Sequence, residues 1–260
     1  QVISNIVTDA LEKNKMELLT QNTNEKLKEL NSTKDKLFSI ISHDLRSPFN
    51  ALISLTEIMT NKEMDFTLEE MTEMATGLHQ SAKTTFKLVE NLLQWSRLQR
   101  GLIKPEPRIV NINRLTEQII ENHADAIQQK SQTVETELNE KIMAMVDEKM
   151  IEAVIRNLLS NAIKFTPKHG KITVKASKDS PWSIYICIAD NGIGIPEAIK
   201  PLLFSVDEKK GRKGTEGETS SGLGLILCKE FIELNQGSIW VESEEGKGSA
   251  FYIRIPAYQM

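Results

Sequence analysis

The amino-acid sequence predicts a multidomain protein: an all-α helical hairpin, expected to pair with a second copy as a dimeric four-helix bundle, followed by an α+β two-layer sandwich. Three observations lead there. Apolar residues keep helical spacing from about Lys34 to Arg100 with one polar break. Gly101, Pro105 and Pro107 then punctuate the chain. Beyond them short strand-like runs interleave with helical ones in no strict βαβ order. A length of 260 residues suits two modest domains.

From Gln1 to about Thr33 the chain is rich in Lys, Glu, Asn and Leu and free of Gly and Pro, with Leu11 and Leu18 one heptad apart and Leu30 and Leu37 repeating the interval. This is helix with an imperfect coiled-coil seam, interrupted at Thr20 to Glu25. It reads equally as a solvated lead-in and as a helix that carries a signal. Leu37, Ile40, Ile41, Leu45, Leu52, Leu55 and Ile58 form the next apolar stripe, in which Pro48 is expected to kink the helix because its ring removes a backbone donor. Asn61 to Thr67 reads as a polar turn. Leu68, Met71, Ala75, Leu78, Ala82, Val89 and Leu92 then trace a second long helix ending near Arg100-Gly101. One hairpin cannot bury both stripes, hence the expected dimer.

Past the linker, Arg108 to Ile112 reads as strand, Asn113 to Gln129 as helix, Thr133 to Leu138 and Ile142 to Val146 as strands, and Asp147 to Phe165 as helix. Lys171 to Ala176, Ser183 to Ala189, Ser238 to Ser243 and Ser249 to Ile255 complete the strands, with Ser221 to Leu234 helical. The short link between Lys171 and Ala189 requires antiparallel pairing. The expected divisions are 1–33 lead-in, 34–101 hairpin, 102–107 linker and 108–260 sandwich.

Net charge is −4, which argues against non-specific nucleic-acid binding, since that needs a basic surface. Cys187 lies in an apolar run and Cys228 in a helical one, without metal-ligand spacing, so both read as buried thiols of a reducing compartment. No run approaches the ~20 apolar residues of a membrane span, and no signal peptide is visible. The chain opens inside a helix, so it is expected to be the cytoplasmic portion of a longer sensor, attached to a membrane only through a part absent here.

Asn157, Asn161 and Lys164 lie four and three residues apart on one flank of the Asp147 to Phe165 helix, whose opposite face is Ile151, Val154, Ile155, Leu158 and Leu159. Amide oxygens from Asn161 and Asn157 suit a hard Mg²⁺ ion, and Lys164 offers charge to phosphates. Alone, the trio is as consistent with the wet side of an ordinary helix. Asp190-Asn191-Gly192-Ile193-Gly194 follows a strand directly; its glycines admit a flat ligand, and a buried Asp190 carboxylate can accept from an adenine amino group. Leu203-Phe204 precedes a charged, glycine-containing loop, Asp207 to Ser221, with the character of a lid. Its Arg212 and Lys213 fit phosphate contacts or a solvated charge run equally. Ser220-Ser221-Gly222-Leu223-Gly224 opens a helix, presenting free N–H groups to an anion. Gly246-Lys247-Gly248 reads as a hairpin turn.

On the first helix, Ser42-His43-Asp44-Leu45-Arg46-Ser47-Pro48 sets an imidazole beside a carboxylate, with a hydroxyl one turn on. A neutral imidazole attacks phosphorus through Nε2 when Nδ1–H is held, and Asp44 is the candidate holder. A solitary helical histidine is more often idle, and it is the company of the other motifs that changes the reading.

From about Ser32 onward the order of these motifs resembles the catalytic core of sensor histidine kinases, and the second half resembles the ATP-binding domain shared with gyrase-type topoisomerases and Hsp90-type chaperones. The resemblance implies that His43 is the phospho-accepting histidine. It places Asn157, Asn161 and Lys164 in an asparagine box, and Asp190, Gly192 and Gly194 in a first glycine box. Phe204 falls in a phenylalanine box, and Gly222 and Gly224 in a second glycine box, with Ser221 and Leu223 beside them as further candidate nucleotide contacts. It implies ATP and Mg²⁺ as cofactors, a response-regulator receiver domain as partner, and a homodimer. Two departures stand out: the phenylalanine box is short, Leu202-Leu203-Phe204-Ser205, and the lid lacks aromatic or proline landmarks. Ser47 stands where Thr or Asn is commoner, which leaves phosphatase activity open. A conformational ATPase and a non-enzymatic dimeric scaffold are the rival readings.

Overall fold

The first helix runs unbroken from Val2 to Thr60 in the computed structural model, which describes residues 2–61, 65–138, 141–205, 214–216, 218 and 222–258. At 59 residues, α1 is about 90 Å long. Pro48 lies inside it and does not end it. Helix α2, Leu68–Gln99, starts on a capping box: Thr67 Oγ1 accepts from the Glu70 N–H at 3.2 Å, and the Glu70 carboxylate accepts from the Thr67 N–H at 2.9 Å. It stops where Gly101 takes a φ of 62° and the Leu102 N–H turns back to the Arg97 carbonyl at 3.0 Å. The expected hairpin is therefore present. Phe49, Ile53, Phe86, Val89 and Leu93 remain exposed on it within a single chain.

The sandwich begins with β1 (Arg108–Asn111), which pairs antiparallel with β3 (Met143–Val146) as a separate two-stranded sheet. The main sheet has the order β2-β4-β5-β7-β6, from β2 (Thr133–Glu137), β4 (Lys171–Ser180), β5 (Ser183–Asp190), β6 (Ser238–Glu244) and β7 (Gly248–Pro256). β4 and β5 form the expected antiparallel hairpin, whereas β2 lies parallel to β4, a pairing that strand patterns alone do not announce. Ile172, Val174, Ile184, Ile186, Ile188, Ile253 and Ile255 alternate inward and are buried. They meet Ile151, Val154, Ile155, Leu158 and Leu159 of α5 (Glu148–Phe165) and Leu227, Phe231 and Ile232 of α6 (Leu223–Leu234). Tyr185, Tyr252 and Trp240 cluster on the other face, with ring centroids 5.3 to 6.2 Å apart.

One expectation needs correcting. The helix expected over Asn113 to Gln129 is two, α3 (Ile112–Glu121) and α4 (Ala124–Gln129). The break falls at Asn122-His123, where the His123 N–H reaches the Ile120 carbonyl, a tightened bond, and the His123 ring nitrogen Nδ1 sits 2.8 Å from the Ile119 carbonyl. A short 3-10 turn, Glu197–Leu202, was also not anticipated. Among the described residues no helix is long and apolar enough to cross a membrane.

Hairpin and sandwich meet at a small apolar seam. Ile41 of α1, Leu88 of α2, and Leu223 and Ile226 of α6 are buried together, with Leu45, Leu92 and Trp95 around them. Trp95 and Leu98 of α2 also pack on the main core of the sandwich.

Candidate functional site

Helix α5 supplies the backbone of the site. Asp147 caps it, accepting from the Met150 N–H at 3.1 Å, and the apolar face described above fixes its rotation on the sheet. That rotation leaves Asn157, Asn161 and Lys164 on a partly exposed flank. Asn157 donates Nδ2–H to the thiol sulfur of Cys228 at 3.1 Å. A Cβ placed on Gly224 would meet Asn157 Oδ1 at 2.6 Å, so any side chain there would displace the Asn157 amide from between α5 and the first turn of α6. The asparagine flank and the second glycine segment, far apart in sequence, are thus adjoining. Cys228 is buried and its thiol is pushed up to about 12 by that burial, so it is inert packing and not a reactive group.

The Asp190 turn closes against the other end of α5. β5 is the central strand of its sheet and ends at Asp190, which lies between Ile172 and Ser249. Asp190 Oδ1 accepts from the Gly192 N–H at 2.9 Å, and the Ile193 N–H donates to the Phe165 carbonyl at 3.1 Å. A side chain on Gly192 would run into that same Phe165 carbonyl, and Gly194 holds a φ of 65° that favours glycine. Burial pushes the Asp190 carboxyl up to about 6, against the N–H groups of Gly192 and Ser249, which favour the charged form. Burial likewise brings the Lys164 ammonium down to about 8; the Glu218 charge opposes the fall, while Lys87 and Lys130 add to it. Lys164 Nζ lies 4.9 Å from the centroid of the Phe165 ring.

Phe204 is partly buried and packs on the main core, so its ring supports the fold beside the site. Gly222 is the residue before α6, at a φ of 63°. Leu223 is 1% exposed with its side chain in the seam. Arg212 and Ser221, with most of the expected lid, lie outside the described residues, as does the side chain of His43. The main chain of His43 is in α1, two residues from Ile41 and two from Leu45, both members of the seam. Asp44 is half-buried beside it and Ser47 is exposed.

Several contributors escaped the sequence reading. Gly248, assigned to a plain turn, brings its main chain against the carbonyl of Asp190. The Gly246 N–H donates to the Ile193 carbonyl at 2.9 Å, so the β6–β7 turn braces the Asp190 turn. Lys130, Gln132 and Thr215 converge on the end of α5 from distant positions. Nothing local in the sequence marks such long-range hydrogen bonds.

Comparison with known proteins extends this geometry. Residues 146–259 match the family described as histidine kinase-, DNA gyrase B-, and HSP90-like ATPase, and residues 33–101 match the His Kinase A (phospho-acceptor) domain. The chain is 32% identical over 234 residues to the adaptive-response sensory kinase SasA of Synechocystis sp., covering 87% of this chain and 60% of that one. It is 31% identical to the sensor histidine kinase TmoS of Ectopseudomonas mendocina, covering 89% of this chain and 24% of that one. The chain thus spans less than two thirds of either relative. Among solved structures, the catalytic domain of histidine kinase ThkA is 27% identical at a TM-score of 0.51, covering 58% of this chain and 95% of that one. ThkA in complex with response regulator protein TrrA shares the fold at a TM-score of 0.67 with 21% identity, covering 89% of this chain and 64% of that one.

Proposed function

The chain belongs to the histidine kinases, carrying the phospho-acceptor and ATPase domains of their catalytic core, and from that premise we propose that it phosphorylates His43 from ATP and passes the phosphoryl group to an aspartate of a response-regulator receiver domain. The observation that carries this reading is the convergence of Asn157, Asp190 and Lys164 with Gly224 around α5, while α6, which begins at that glycine segment, packs on the hairpin bearing the histidine.

In this reading the ATP-binding domain is 108–260 and the dimerisation and phosphotransfer domain is 34–101, with 1–33 relaying a signal. The Asp190 carboxylate accepts from the adenine amino group. Asn157 and Asn161 face the phosphates, with Lys164 and the N–H groups at Gly222 and Gly224 balancing their charge. Among the described residues no three His, Cys, Asp or Glu side chains are grouped, so a divalent ion here would rest on amide oxygen, phosphate and water, a donor set that suits Mg²⁺. Bound Mg²⁺ would neutralise phosphate charge; Asn161, with Asn157 a turn earlier, would hold it.

The lone pair of His43 Nε2 forms the N–P bond as the bond between the γ-phosphorus and the bridging oxygen breaks, and ADP leaves with that electron pair. Asp44 holds Nδ1–H and stabilises the positive charge that develops on the imidazole ring. Positioning provides most of the acceleration because the phosphoryl transition state is loose. The exposed apolar residues of the hairpin fit pairing with a second chain, and the whole fits the cytoplasmic portion of a membrane-bound sensor. The test is a phosphopeptide map after incubation with Mg-ATP, in which the label should fall on the peptide containing His43 and move to an added receiver domain.

The Lys164 ammonium sets the alkaline limit of binding. It is charged below about pH 8 and neutral above, and phosphate oxygens bind the charged form. Calorimetric affinity for a non-hydrolysable ATP analogue should therefore fall about tenfold from pH 7 to pH 9. In Lys164→Arg the fall should disappear from that range, because a guanidinium stays charged.

A further inference from the structure

Lys130 ends α4, and its side chain is only 6% exposed, rare for an ammonium group without full compensation. Its Nζ lies 3.1 Å from the Ile163 carbonyl, 3.1 Å from the Lys164 carbonyl, 2.9 Å from Thr215 Oγ1 and 2.7 Å from Glu218 Oε1. The two carbonyls belong to the last turn of α5, where helix carbonyls lack intrahelical donors and a cation is favoured. Thr215 and Glu218 come from the other side. The Thr215 N–H donates to the Lys164 carbonyl at 3.1 Å, and the Gly214 N–H to the Glu218 carbonyl at 2.8 Å. Glu216 reaches Lys168, just past the end of α5, at 3.1 Å. Gln132 Nε2 caps the Ile163 and Thr166 carbonyls at 3.0 and 2.7 Å. One buried cation therefore joins the turn carrying Lys164 to Thr215 and Glu218.

We propose that Lys130 is a positioning residue of the nucleotide site: it ties Thr215 and Glu218 to the final turn of α5 and, by holding the Glu218 carboxylate, sets the charge that Lys164 presents to phosphates. The proposal rests on the functional reading above. Lys130 touches no phosphate in it. The charged groups that act on Lys164 are Glu218 from this stretch, Lys130 from the end of α4, and Lys87 from α2 across the seam. A plain helix cap would stabilise α5 and leave the protonation of Lys164 alone. A positioning residue moves it.

The experiment titrates the full chain, in Mg²⁺, with a non-hydrolysable ATP analogue from pH 6.5 to 9.5. Lys130→Met should weaken binding about tenfold at pH 7, because Thr215 and Glu218 are released and a carboxylate is left unpaired. It should also move the alkaline midpoint downward by roughly half a pH unit, since the attraction for Lys164 lost as the Glu218 carboxylate is released outweighs the repulsion lost with Lys130. Glu218→Gln, at a partly exposed position, should also move the midpoint down. Lys130→Arg should restore most of the affinity. Unmoved midpoints in both variants, beside a wild-type chain that binds the analogue, overturn the proposal and leave Lys130 as a cap. Failure of the wild-type chain to bind overturns the functional reading and this proposal with it.

Discussion

His43→Gln incubated with Mg²⁺ and γ-labelled ATP is expected to take up no label, a loss of more than about a thousandfold, the scale on which removal of a covalent nucleophile acts. Glutamine keeps the length and polarity of the side chain on α1 but has no basic nitrogen to attack phosphorus. The wild-type label should be lost in acid and survive alkali, because protonation of the imidazole makes it a good leaving group. A hydroxyl ester of serine or threonine would show the opposite pattern. The same variant should bind nucleotide like wild type, since the asparagine flank, the Asp190 turn and the start of α6 all lie in the sandwich. Label persisting in the variant, or no label in wild type despite bound nucleotide, would sink the assignment. Steady ATP turnover without phosphoprotein would instead favour a conformational ATPase.

Asp190→Ala is expected to weaken ATP binding by tenfold to a hundredfold, about 1.4–2.8 kcal/mol, the range for losing a hydrogen bond to a charged acceptor. The same carboxyl makes a separate prediction about stability. Its pKa in the fold is about 6 against an ordinary 3.8. Between these values the folded chain keeps a proton that the unfolded chain has released. This contribution is intact below about pH 4, is lost as pH rises through 6, and amounts to about 3 kcal/mol at most. Asp190→Asn removes the titration. Its melting temperature relative to wild type should be more favourable at pH 7 than at pH 4, even as nucleotide affinity falls. A site that holds an uncomfortable carboxylate gives up stability for recognition.

Much of this site is legible in the sequence because its parts are local. The spacing of Ile151, Val154, Ile155, Leu158 and Leu159 sets the rotation of α5 and so the flank on which Asn157, Asn161 and Lys164 appear. The glycines after Asp190 follow from a turn that must press on the Phe165 carbonyl. The hairpin is legible from two apolar stripes and the polar turn between them, Asn61 to Thr67. What escapes depends on partners distant in sequence. The parallel pairing of β2 with β4 and the meeting of Lys130 with Glu218 leave no periodic trace. The break between α3 and α4 is set by Asn122 and His123, neither of which is a strong breaker. Leu223 shows the limit most clearly. It lies inside the second glycine motif, yet its side chain serves the seam, so a motif that reads as ligand-binding is shared with an interdomain contact.

That seam also equips the molecule with an internal optical gauge. Trp95 packs against the main core and against the Ile41–Leu223 cluster at once, whereas Trp182 is 71% exposed and Trp240 sits in the aromatic cluster on the outer face of the sheet. Separation of α6 from the hairpin wets one indole and leaves the other two as they were, so intrinsic emission follows undocking without an attached dye.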